Sequence, residues 1–163
     1  MITLAALACR GPAPAARDSL VADASSRTAM TNPFSDSLDV SLILPRSPRR
    51  GEPIPITFRA RNRTARPLDL YLRGRTPTLD VLIARRRTQV VWRRLEGEII
   101  PAILHLRTLA PGEALEVETS WDQRTKADLL EPGEYTAQGL LLAEGEPLES
   151  PVVGFQVAGA EAE

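Results

Sequence analysis

The 163-residue sequence has one cysteine, one histidine and one lysine, and aromatic residues make up only 4% of it. A lone Cys9 excludes an intramolecular disulfide, and with only His105 beside it a Cys/His zinc cluster is excluded too. One histidine leaves one imidazole base, so triad and metallohydrolase chemistries rest on His105 or fail. No basic run is interleaved with stacking rings, and the formal net charge is −1. Both features argue against nucleic acid, and the charge also argues against binding a membrane surface. No segment approaches the roughly 18 apolar residues of a membrane span. The acids around Glu144 and Glu146 lack the spacing and glycine of a calcium loop. The expectation is a protein that is not an enzyme, with no cofactor, no metal and no nucleic-acid partner.

What is present is ordinary in amount and unusual in placement. Hydrophobic residues make up 43% and charged residues 25%, the balance of a globular chain. Between positions 39 and 95 there are 14 arginines and 4 acids, whereas 96–163 holds 14 acids and 3 bases. Two readings stand. In one, a compact domain brings the halves together and opposite charges meet across neighbouring strands. In the other, a basic face recruits an acidic partner.

Met1 to Ala8 is almost wholly apolar and ends at Cys9, and Ala6-Leu7-Ala8-Cys9 resembles a bacterial lipobox. This reads as a truncated or atypical lipoprotein-type signal, with lipidated Cys9 as the only route to membrane attachment and the cell envelope as location. The alternative is a cytoplasmic chain with an incidental cysteine. Residues 10–37, rich in Ala, Ser and Pro without a sustained period, read as a disordered, flexible tether.

From Leu38 the period is two. Leu38-Val40-Leu42-Leu44, Ile54-Ile56-Phe58-Ala60, Leu68-Leu70-Leu72 and Leu115-Val117-Thr119-Trp121 each alternate with polar or outward residues, as half-buried strands do. Residues 79–94 read as a hairpin turning at Arg85-Arg86-Arg87-Thr88. Tyr135–Leu141 and Val152–Val157 supply the last strands. Asn62-Arg63-Thr64 fits a glycosylation pattern and reads as turn chemistry. Ile99, Ile100, Ile103, Leu104 and Leu106 suit neither period cleanly, and Pro101 interrupts them. About eight strands with frequent turn signals and no helix predict an all-β, immunoglobulin-like antiparallel β-sandwich over 38–158, followed by a polar tail at 159–163. Tyr135, two residues after Gly133, has the placing of a tyrosine corner.

Asp80-Val81, Val90-Val91-Trp92-Arg93, Leu109-Ala110-Pro111-Gly112-Glu113, Trp121-Asp122 and Pro132-Gly133-Glu134-Tyr135 occur in this order. The ordered set resembles the BsuPI family, the intracellular proteinase inhibitor domain of bacteria. That resemblance implies an immunoglobulin-like sandwich that inhibits a bacterial serine proteinase. Where the family usually sets an aromatic on each side of the aspartate, this chain has Leu79 and Val81. Where its hairpin typically turns through an Asp/Gly pair, this chain has the arginines.

Most motif residues read physically as scaffold. Trp92 and Trp121 are expected in the inter-sheet core, Pro111, Gly112, Pro132 and Gly133 in turns, and Asp80 as a loop cap. Ser120 and Asp122 flank Trp121 without other catalytic groups. His105 is expected as a partly buried structural residue. Arg85, Arg86, Arg87 and Thr88 are the candidate protein-binding loop, with a soluble hairpin tip as the alternative. The functional expectation is a non-enzymatic protein-binding domain with a protein partner, which the resemblance implies is a serine proteinase. The alternative is an envelope-anchored structural or assembly domain without inhibitory activity.

Overall fold

The computed structural model describes residues 34, 36–125 and 128–159. The chain divides into two units, Met1–Met30 and Thr31–Glu163, and the described residues belong to the second. Ten strands follow in order: β1 Leu38–Ile43, β2 Ile54–Asn62, β3 Leu68–Arg73, β4 Leu79–Arg85, β5 Gln89–Arg93, β6 Leu104–Leu109, β7 Ala114–Trp121, β8 Gly133–Leu141, β9 Leu148–Glu149 and β10 Val153–Val157. There is no helix among the described residues.

Three sheets result, all of antiparallel pairs. One runs β1-β2-β7, a second β10-β8-β4-β5 with β9 on β8, and the third is the ribbon β3-β6. Alternation explains the layering. On β2, Ile54, Ile56, Phe58 and Ala60 turn inward and are buried, while Pro55, Arg59 and Arg61 face out. On β4, Leu79, Val81 and Ile83 do the same from the facing sheet. The two sheets meet closely at Gly139 of β8. A Cβ built there would lie 2.8 Å from Leu42 Cδ1 and 2.9 Å from Phe58 Cδ2. Only a residue without a side chain lets those two core residues pack across.

The fold is the expected all-β sandwich, with two strands beyond the eight that alternation marks. β6 begins only after Pro101, and its outward side carries Leu104 and Leu106, which hides the period. β9 is two residues long. Leu72 bridges to Ala143, and Arg73 N–H donates to the Leu142 carbonyl at 2.9 Å, so the ribbon continues from the end of β8. His105 is half-buried on the ribbon's inner face opposite Leu72, with Nδ1 3.1 Å from the Gly74 carbonyl.

The split of charge along the chain is partly neutralised in space. Arg59 stands opposite Glu116 across β2 and β7, with Nε 3.4 Å from Oε1. Arg85 reaches Glu131 at 2.7 Å. Both pairs join the basic half to the acidic half, but both are exposed and each stabilises the fold by at most about 1 kcal/mol.

Candidate protein-binding face

The β4–β5 hairpin begins at a rigid base. Asp80 is 1% exposed; its carboxylate accepts from Arg93 Nε at 2.6 Å and from the Leu95 N–H at 3.1 Å. Arg94 Nη1 donates to the Leu79 carbonyl at 2.6 Å. A buried carboxylate needs such partners, since an unpaired one is costly to desolvate. The half-buried Trp92 indole then stacks on Trp121, with ring centroids 5.1 Å apart, and Trp121 Nε1 donates to the Arg124 carbonyl at 3.1 Å. Ile83 pairs with Trp92 but Ala84 pairs with Val90. The extra residue on β5 is a bulge, which bends the hairpin toward its tip.

At the tip, Arg85 pairs with Gln89, and Arg86 and Arg87 have φ of 52° and 66°. This is the left-handed region, in which a side-chain-bearing residue is disfavoured by about 1–2 kcal/mol. The turn is therefore built by two residues ill suited to it, where Asn or Gly would relax it. Thr88 Oγ1 is 3.5 Å from the Arg86 carbonyl. Beside the tip lies a cleft of about 620 Å³ lined by Arg46, Arg86, Arg87, Glu134, Val153 and Phe155 among others. Among the described residues, none of those three arginines has an ion-pair partner.

Two fully buried polar residues lock loops of the sandwich, and the first of them, Gln123, acts on this face. Gln123, fully buried with φ 60°, donates through Nε2 to the carbonyls of Arg49 at 2.6 Å and Glu52 at 2.7 Å. Its Oε1 accepts from the Gly51 N–H at 3.2 Å. It thereby holds the β1–β2 loop that carries Arg46, whose own carbonyl accepts from the Gln156 N–H at 2.8 Å. Asn62, also fully buried, donates to the carbonyls of Arg66, Leu109 and Ala110. Its Oδ1 accepts from the Thr64 N–H and hydroxyl at 2.8 Å. Its amide is thus inside the protein as a turn lock and closed to glycosylation. Nothing but the Asn-x-Thr spacing marked it in the sequence.

The remaining motif residues lie around this frame. Tyr135 Oη donates to the Glu131 carbonyl at 2.8 Å, closing the turn that contains Pro132 and Gly133. Burial pushes its phenol above the ordinary value of 10.0; Arg85 pulls it back and Glu131 adds to the rise. Asp122 is exposed and accepts from the Arg124 N–H at 3.0 Å. Pro111 and Gly112 turn between β6 and β7, with Gly112 at φ 77° and its carbonyl accepting from Arg61 Nε at 3.0 Å. Arg85–Thr88 and Tyr135 come together at one end of the sandwich, whereas Pro111 and Gly112 stand beside Asn62 and Arg61. Among the described residues, no group of three His, Cys, Asp or Glu side chains could hold a metal ion. Cys9 and the lipobox-like segment lie outside the described residues.

Comparison with known proteins gives one family. A family model described as "BsuPI: Intracellular proteinase inhibitor" matches residues 44–146. The word intracellular overturns the expectation of a cell-envelope lipoprotein; the cytoplasmic alternative is the one that fits. No curated protein matches the chain. Similar solved structures include the Pseudomonas fluorescens alkylpurine DNA glycosylase AlkC bound to DNA with an abasic site analog. It is 16% identical, covers 74% of this chain and 30% of its own, and has a TM-score of 0.40. β-Glucosidase 3B from Thermotoga neapolitana is 17% identical, covers 76% and 16%, and has a TM-score of 0.41. A Listeria innocua β-glucosidase is 14% identical, covers 75% and 16%, and also has a TM-score of 0.41. The chain spans 16–30% of the length of these proteins, and likenesses at such scores carry no functional argument.

Proposed function

The chain belongs to the BsuPI family of intracellular proteinase inhibitors, and from that premise we propose that it is a non-enzymatic domain that inhibits a serine proteinase through the Arg85–Thr88 tip. One observation carries the assignment of the tip. Arg86 and Arg87 hold a strained left-handed turn and have no ion-pair partner among the described residues, and strain retained at an exposed loop points to use rather than to folding. A solvent-facing guanidinium there suits an acidic specificity pocket, and Arg46 adds a third positive charge beside it.

A triple arginine is also a cleavage site, so inhibition requires that the tip not be read as substrate. A proteinase cleaves chain laid out in extended form along its cleft. The left-handed pair at 86 and 87 denies that form unless the hairpin opens. Opening is opposed by the Asp80–Arg93 and Asp80–Leu95 contacts, the Trp92–Trp121 stack and the Arg85–Glu131 pair. A rigid tip also loses little entropy on docking. Titration against a panel of serine proteinases tests the proposal. Stoichiometric inhibition, strongest for enzymes with an acidic primary pocket and weakening with added salt, is expected. No inhibition, with rapid cutting after Arg85–Arg87, would sink it.

A further inference from the structure

We infer that the β3–β6 ribbon is a self-complementary surface for a second copy of this chain, joined β6 to β6, antiparallel and centred on Leu106. The inference stands apart from the inhibitory role and from the arginine tip. Among the described strands β6 pairs with β3 alone. The Gly74 N–H donates to the Ile103 carbonyl at 2.9 Å, one step beyond the Arg73–Leu104 pair. Hydrogen-bonded pairs alternate along an antiparallel ladder. His105, Arg107 and Leu109 therefore direct their backbone groups to β3, while Leu104, Leu106 and Thr108 direct theirs to the open edge.

The outer face of this edge is apolar. Half-buried His105 and exposed Arg107 stand opposite buried Leu72 and Leu70, whereas on the outer face Leu104 is 44% and Leu106 53% exposed, next to Tyr71 at 46% and Ile103 at 45%. An open backbone row bordered by exposed leucines is what folded proteins ordinarily blunt with lysine, proline or a covering loop. β6 contains neither lysine nor proline.

Symmetry and charge select the occupant. With Leu106 opposite Leu106 of the second copy, Leu104 falls opposite Thr108, and every outward N–H and C=O of these three residues finds a partner. On the outer face, Tyr71 and Leu106 continue into Leu106 and Tyr71 of the second copy as one apolar row. The flanking rows run from Asp69 and Thr108 to Leu104 and Arg73 of the second copy. Each begins with an acid and ends with a base, and no like charges share a row, which is the complementarity an isologous contact requires. The contact area is small, so association is weak.

Sedimentation equilibrium of the full chain up to about 1 mM, the regime of weak interfaces, tests this with wild type and Leu106→Lys. In a Cys9→Ser background, oxidation of Leu106→Cys is compared with Thr108→Cys, since hydrogen-bonded partners lie about 5.5 Å apart, within disulfide reach. The wild-type mass is expected to climb toward twice that of the chain. Leu106→Lys is expected to weaken association at least tenfold, and only Leu106→Cys to cross-link efficiently. Three results would overturn the inference: a monomer at about 1 mM, a dimer indifferent to Leu106→Lys, or Thr108→Cys cross-linking as readily. A monomeric wild type whose proteinase inhibition falls with Leu106→Lys would also overturn it, and would reassign the face to the proteinase.

Discussion

Replacing the tip by a turn-compatible pair, Arg86→Asn with Arg87→Gly, separates the needs of the fold from those of binding. Both residues lie at positive φ, 52° and 66°, and relieving a left-handed side-chain-bearing residue gains about 1–2 kcal/mol in the folded state. Glycine returns about 0.4–1 kcal/mol of that through the entropy of its unfolded chain. Asparagine relieves only part of the strain, because it enters this region several-fold more readily than most residues but still bears a Cβ. The net expectation is about 1–1.5 kcal/mol of added stability for the pair. With a urea m-value near 2 kcal/mol/M, the unfolding midpoint rises by about 0.5–0.75 M. Urea unfolding followed by tryptophan fluorescence reads this directly, because Trp92 and Trp121 stack at the hairpin base. The same variant is expected to lose at least tenfold in inhibition. A variant no more stable than wild type would refute the strain argument. A more stable variant with full inhibition would show that the tip is only a turn.

Three further outcomes follow from the same contacts. Tyr135→Phe removes the bond to the Glu131 carbonyl and is expected to destabilise by about 1 kcal/mol. Because the folded phenol lies above its ordinary 10.0, that stability is fully present below pH 10, is lost as pH rises through the folded value, and loses this pH dependence in the variant; alkaline unfolding scans check both. Gln123→Ala strips partners from the Arg49 and Glu52 carbonyls and the Gly51 N–H, for an expected loss of about 2–3 kcal/mol by denaturant unfolding, with faster amide exchange across 46–52. Trp92→Ala leaves the tip sequence intact but loosens its base, so limited proteolysis is expected to cut after Arg85–Arg87 several-fold faster than in wild type.

The sandwich was legible because alternation and turn formers agree along β2, β3 and β7: apolar residues take the buried positions of β2 from Ile54 to Ala60, and turn signals such as Pro111-Gly112 stand between strands. β6 escaped because Leu104 and Leu106 face outward while His105 and Arg107, with only Leu109 fully buried, take the other face. Asp80 could be read as a cap because one bond is local to its hairpin, Leu95 N–H to Oδ1. Asn62 was legible as turn chemistry through its local bonds to Thr64 and Arg66, but its reach to Leu109 and Ala110 was not. Gln123 could not be read, because its partners are carbonyls and an N–H from a loop more than 70 residues away, and pattern along one strand says nothing of what a distant loop presents. The tip was visible as a turn, but its left-handed backbone was not, since arginine is among the residues least expected there. Location was misread from Ala6-Leu7-Ala8-Cys9, a short pattern, and was corrected by a family match spanning 44–146.

The most direct measurement is the inhibition constant of wild type against that of Arg86→Glu/Arg87→Glu, on the serine proteinase that the wild type inhibits best. Reversing two charges where the tip enters an acidic pocket is expected to raise the constant by at least about 100-fold, equivalent to about 2.8 kcal/mol, with the fold intact by circular dichroism. An unchanged constant, or a wild type that inhibits none of the panel, would contradict the assignment of Arg86 and Arg87 as the contact.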